Sequence, residues 1–126
     1  MQTRTLDRTP GFVAINARVP AQRLEQVEGR GKDIGAVSVK PLLVGAEGLL
    51  LEIVQAKGVK VPPHQHDDHE SLIYLVRGRM RLVIDGTETV VGPGDAWIHP
   101  RGVPHHSEAL EECVTIEVKT PPRKTW

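Results

Sequence analysis

Three histidines and three carboxylates stand within eight residues, His64-Gln65-His66-Asp67-Asp68-His69-Glu70-Ser71. A second polar knot, Pro104-His105-His106, follows, and all six histidines fall between His64 and His106. Imidazoles gathered this way suit a metal, and their nitrogen accepts zinc, copper, iron or nickel. On an extended chain residues two apart share a face, so His64 and His66 project together. A third ligand must come from elsewhere. His105 follows the tight turn Pro100-Arg101-Gly102-Val103-Pro104, which can swing it back toward the pair.

Short β-rich runs supply the scaffold. From Gly35 onward they are broken by glycine and proline, and they predict strands over 36–44, 48–56, 72–76, 80–84, 88–91, 96–99 and 113–118. Asp85-Gly86 is a two-residue hairpin signal. Strands at this spacing with no long helix among them imply an all-β sandwich or barrel over residues 36–126. Residues 1–35 read as an arm of the same domain. Within it Phe12–Ile15 predicts a short strand, and Pro20–Val27 about two helical turns stopped by Gly29 and Gly31.

A chain of 126 residues is one domain, long enough to bury a core without staples. Sixteen basic residues balance sixteen acidic ones and only four are aromatic, which argues against nucleic acid. The lone Cys113 excludes an internal disulfide framework and fits a reducing compartment. No apolar run reaches the ~18 residues of a membrane span and the N-terminus has no apolar leader, so the expected location is the cytoplasm.

The histidine stretches resemble the cupin superfamily. Its first motif is met by Gly58, His64, His66 and Gly78, and its second by Gly94, Pro100, Gly102 and His105, with Ala109 where the family has Asn. The resemblance spans roughly Gly48 to Val118. It implies a double-stranded β-helix (jelly-roll) barrel whose mouth holds a divalent metal on three histidines and an acid. Counted forward from His66 the acid position falls on Glu70, and counted back from Gly78 it falls on Ser71. Strand register through 71–78 favours Ser71 in that slot with Glu70 pointing away, while Glu70, His69 and water stay open as the fourth ligand, and the metal as iron, zinc, nickel or manganese.

The tail, His105–Glu112 and then Glu117-Val118-Lys119-Thr120-Pro121-Pro122-Arg123, is similar to small pectin-degradation cupins that convert unsaturated uronic acids to open-chain keto forms. That resemblance implies active-site roles for Glu117 and Arg123. The family's Gln ligand falls on Ser71, a pocket Gln on Ile73, and a Phe on Lys119. His106 is a further candidate for moving a proton. His69 and His99 read as rim or surface residues, and Tyr74 and Trp97 as packing residues.

Three functions fit this reading. The first is a metal-dependent isomerase, cyclase or lyase acting on a small sugar-acid or keto-acid-like molecule. The second is a three-histidine iron dioxygenase, favoured by Ser71 in the acid slot. The third is a non-catalytic small-molecule-binding cupin. The resemblance also implies a homodimer.

Overall fold

The computed structural model describes residues 4–31 and 34–126; the parts of the arm at 1–3, 32 and 33 lie outside the described residues. The described residues form ten strands in two antiparallel sheets. One sheet runs β1 (Gln22–Arg23), β2 (Val37–Val44), β3 (Leu49–Gln55), β10 (Cys113–Thr120), β5 (Glu70–Arg77), β8 (Ala96–His99). The other runs β4 (Lys60–His64), β9 (His105–Ala109), β6 (Met80–Ile84), β7 (Thr87–Val91). Together they make the jelly-roll barrel.

Alternation along the strands decides what faces inward. On β10, Cys113, Thr115, Glu117 and Lys119 are buried while their neighbours are half-buried. On β5, Ser71, Ile73 and Leu75 are buried while Leu72, Tyr74 and Val76 are exposed. Leu49, Leu51, Leu75, Met80 and Val39 make the fully buried apolar centre. Truncating one of these to alanine typically costs about 2–5 kcal/mol. Among the described residues no helix is long and apolar enough to cross a membrane.

Two local devices hold the barrel's shape. Asp85 and Gly86 both take positive φ, the conformation a primed hairpin turn needs. Gly78 has φ +102°, and a Cβ there would collide with the Glu112 carbonyl and with Cys113. The β5–β6 turn therefore packs against the start of β10 only with glycine at this position.

The arm differs from its sequence pattern. Phe12–Ile15 is irregular and exposed, and Pro20–Val27 forms no helix. Instead Gln22 and Arg23 pair with Val39 and Ser38 at the edge of β2. Leu24 and Val27 look like a helical stripe but are buried from an extended chain laid along the barrel. The only helical turn among the described residues is a 3-10 turn at Asn16–Arg18. The gain from extending a sheet edge and covering the core outweighs a weak local helix propensity.

Strands β4 and β9 carry His64 and His105 and were not legible as strands. Pro62 and Pro63 suppress a strand signal, which is tolerable because β4 is an edge strand and its pairing with β9 shifts between Val61 and His64.

Candidate metal centre

His64 closes β4, His105 opens β9 directly opposite it, and His66 follows in the next loop. The Gly102 amide donates to the His66 carbonyl at 2.8 Å, which fastens that loop to the turn before His105. The available ring nitrogens of these three histidines all lie within 4.8 Å of one another. All three side chains are buried.

Each ring is oriented by a group that can only accept. His64 Nδ1 sits 2.7 Å from the Pro62 carbonyl and His105 Nδ1 3.1 Å from the Val103 carbonyl. His66 Nδ1 sits 3.2 Å from Glu28 Oε1. Acceptors there place the proton on Nδ1 and leave the lone pair on Nε2. His64 Nε2 and His105 Nε2 then face each other at 3.0 Å with a lone pair each. Burial lowers the basicity of both rings, His105 to about 4. It also lowers that of His66, with Lys119 adding to the effect. Neutral imidazoles with converging lone pairs are the donor set a divalent cation requires.

The arm supplies the partner of His66. Glu28 takes φ +53°, and with Gly29 it makes a tight turn closed by the Val27–Arg30 bridge. A non-glycine residue in the left-handed region is strained, and here it aims a carboxylate at His66. Arg4 ties the arm down, donating to Glu28 Oε1 at 2.7 Å and to Asp68 at 2.8 and 3.1 Å. Asp68 accepts from His69 Nδ1 at 2.8 Å. Burial alone raises the Asp68 pKa, but the bonds from Arg4 and His69 outweigh it and hold the carboxyl well below the usual range. His69, read from the sequence as a rim residue, is fully buried, with its ring 4.4 Å from that of His66.

A second group faces the same interior. Lys119 Nζ lies 2.5 Å from Glu117 Oε2 and donates to Ser71 Oγ at 3.2 Å. Ser71 Oγ donates to Glu117 Oε2 at 3.2 Å, and Lys119 Nζ approaches His69 Nε2 at 3.4 Å. Burial raises the Glu117 pKa, yet Lys119 and Ser71 prevail and keep it ionised below the normal carboxylate range. Glu117, Lys119, the three histidines, Trp97 and His99 line one cavity. Leu24 and Val27 of the arm and Thr125 and Trp126 of the tail form part of its wall. His99, expected at the surface, stacks on His105 with ring centroids 3.5 Å apart. Burial, reinforced by His105, pushes it down to about 3.

The other sequence candidates lie apart from this cluster. Glu70 is half-buried on the opposite face of β5 from Ser71, in a shallow groove with Glu47, Arg101 and Pro121, and is not among the grouped histidines. His106 alternates with His105 on β9 and sits opposite Val83 on the other face of the sheet. Arg123 donates to the Pro122 carbonyl and lies 3.6 Å from Asp68, outside the cavity lining. Tyr74, expected to pack, is 50% exposed. Sequence reasoning missed Glu28; Lys119, where the family has Phe, it placed by alternation on one strand face with Glu117 as a pocket wall carrying an acid and a base, and both are buried. The Glu28-Gly29 pair was the available signal for a turn, and the period-2 alternation of β10 was the signal for an inward lysine.

The Cupin_2 family model, described as a cupin domain, matches residues 50–118. The chain belongs to the cupin family. This cupin is 29% identical over 94 residues to the pectin degradation protein KdgF of Dickeya dadantii (strain 3937), covering 73% of this chain and 86% of that one. Its fold is similar to the structure of KdgF from Halomonas sp., with a TM-score of 0.75, 23% identity and coverage of 87% and 94%. It is also similar to the polyketide cyclase RemF from Streptomyces resistomycificus, with a TM-score of 0.70, 24% identity and coverage of 94% and 82%.

Proposed function

We propose that this cupin is a metal-dependent isomerase, cyclase or lyase acting on a small enolisable oxygen compound, of the keto-acid or sugar-acid type. One observation carries the reading: a buried Glu117–Lys119 pair opens onto the same cavity as three histidines with converging nitrogens. Likeness to KdgF and to a polyketide cyclase supports the class of chemistry.

His64, His66 and His105 would hold the ion, with Glu28 and two backbone carbonyls fixing the rings. When bound, a divalent metal supplies Lewis acidity toward a carbonyl or hydroxyl oxygen. The chain's own residues do the rest. Glu117 is ionised and is the base that removes a proton beside the carbonyl. Lys119 returns a proton or holds the oxyanion, and Ser71 aligns the pair. Among the described residues Lys119 lines the cavity and Arg123 does not, so the anion-holding role falls to Lys119. Leu24, Val27 and Trp126 exclude water. The test is solvent-deuterium exchange beside the carbonyl of pyruvate or a uronate. Exchange should need both metal and Glu117, and its absence in metal-loaded protein would overturn the reading.

A three-histidine iron dioxygenase is the second reading. Ser71, buried in the acid slot and bonded to Glu117 and Lys119, favours it because among the described residues no carboxylate groups with the three histidines. Bound ferrous iron with oxygen uptake would establish it.

A homodimer completes the proposal. Leu72, Tyr74 and Val76 of β5 and Ile98 of β8 expose an apolar strip on one sheet face. β8 is the edge strand of that sheet, and a second copy paired there would cover both strip and edge.

A further inference from the structure

The cavity is smaller than the proposed chemistry requires. Its free volume is about 80 Å³, whereas a cavity that holds benzene has about 150 Å³. Pyruvate has as many heavy atoms as benzene, and a uronate has more. A substrate of this class enters only if a wall gives way.

The walls differ in how they are held. Ile53, Ile73, Leu82, Ser107 and Thr115 line the cavity from strands that are paired on both sides. Moving any of them breaks two ladders. Thr125 and Trp126 line it from residues 122–126, a strap that follows β10 and belongs to no strand. Among the described residues the strap is bonded mainly to the arm. The Lys124 amide donates to the Arg4 carbonyl at 2.8 Å, the Glu28 amide to the Thr125 carbonyl at 3.2 Å and Trp126 Nε1 to Gln22 Oε1 at 2.7 Å. Arg123 adds the 3.6 Å approach to Asp68. Few bonds, none of them in a sheet, mark a segment that opens locally while the core stays folded. The strap is nonetheless a tight cover, because Thr125 is buried and Trp126 packs against the core. Its release also spares the histidines. When the Thr125 contact breaks, Glu28 keeps its bond from Arg4 and its place beside His66.

We propose that the strap of residues 122–126 is the gate of the cavity: it swings off the arm to admit a substrate, then closes Thr125 and Trp126 over it. The proposal rests on the enolising reading only for the size of what enters. The latch itself stands on the strap's own bonds.

The test follows the zinc-loaded full chain by amide hydrogen exchange and by labelling with a methanethiosulfonate reagent. The Lys124 and Glu28 amides report the latch. Thr115→Cys reports the cavity, since Thr115 lines it and is buried; Ser107→Cys is the second tag should Thr115→Cys not fold. Cys113 is buried and does not line the cavity, so labelling of the parent sets the baseline. Gln22→Ala removes the exposed acceptor that holds Trp126. It should speed exchange at both amides, and labelling of the cavity tag, by about fivefold, the effect of losing one hydrogen bond. Amides of β3 and β10 and the zinc content should not change. Trp126→Ala should speed labelling at least as much. Faster amide exchange with unchanged labelling would show a strap that frays without opening the cavity and would overturn the proposal. So would no change in either, or an equal acceleration of the β3 and β10 amides. If latch and cavity respond together but no deuterium enters beside the carbonyl of pyruvate or a uronate, the enolising reading fails and the gate stands.

Discussion

Glu28 Oε1 lies 3.2 Å from His66 Nδ1, so a residue of the N-terminal arm orients one of three histidines carried by the barrel. The arm is thus part of the candidate metal centre. Outer partners of ligating histidines set ring orientation and raise donor strength. Glu28→Ala should weaken metal binding by about 10–100-fold, measured by competition with a chromogenic chelator. Arg4→Ala should weaken it less, because Glu28 keeps its turn.

The Glu117–Lys119 pair is buried, with side chains 12% and 3% exposed. Removing one partner strands a charge, at a cost of about 3–5 kcal/mol. Glu117→Leu should therefore destabilise the protein more than the double variant Glu117→Leu/Lys119→Met, as read by urea unfolding. Either change should abolish exchange activity. A double variant no more stable than Glu117→Leu would show that the pair is not coupled.

Acid should destabilise the metal-free protein. His105 and His99 have folded pKa values lowered from 6.5 to about 4 and about 3, chiefly by burial. Below pH 6.5 the unfolded chain binds more protons than the folded one, so stability falls as pH drops from 6.5 toward 4 and continues to fall to about 3. Bound metal should leave over the same range, since protonation competes for Nε2. Melting temperature against pH, with and without metal, checks both.

Much of this was legible in the sequence. Alternation and glycine breaks located seven strands because those strands are bounded by turns that need glycine or Asp-Gly. His64, His66 and His105 were legible because their types and spacing are chemical. Glu70 and Ser71 could not be separated by counting along the chain; strand phase turns Ser71 inward and Glu70 outward. Arg123 sits on Asp68, whose place beside Arg4 depends on contacts distant in sequence. Glu28 was hidden for the same reason, being 38 residues from the ring it orients.

The exposed strip on β5 and β8 gives a separate expectation. Tyr74→Lys with Ile98→Lys should convert a dimer to a monomer by light scattering and leave metal content unchanged. A monomeric parent would rule out the pairing.

The most direct measurement is metal content of untagged protein by mass spectrometry, beside His64→Ala and Glu70→Ala. The three-histidine centre requires about one divalent metal per chain, lost in His64→Ala and kept in Glu70→Ala. No metal in the parent after reconstitution, or equal loss in both variants, would contradict it.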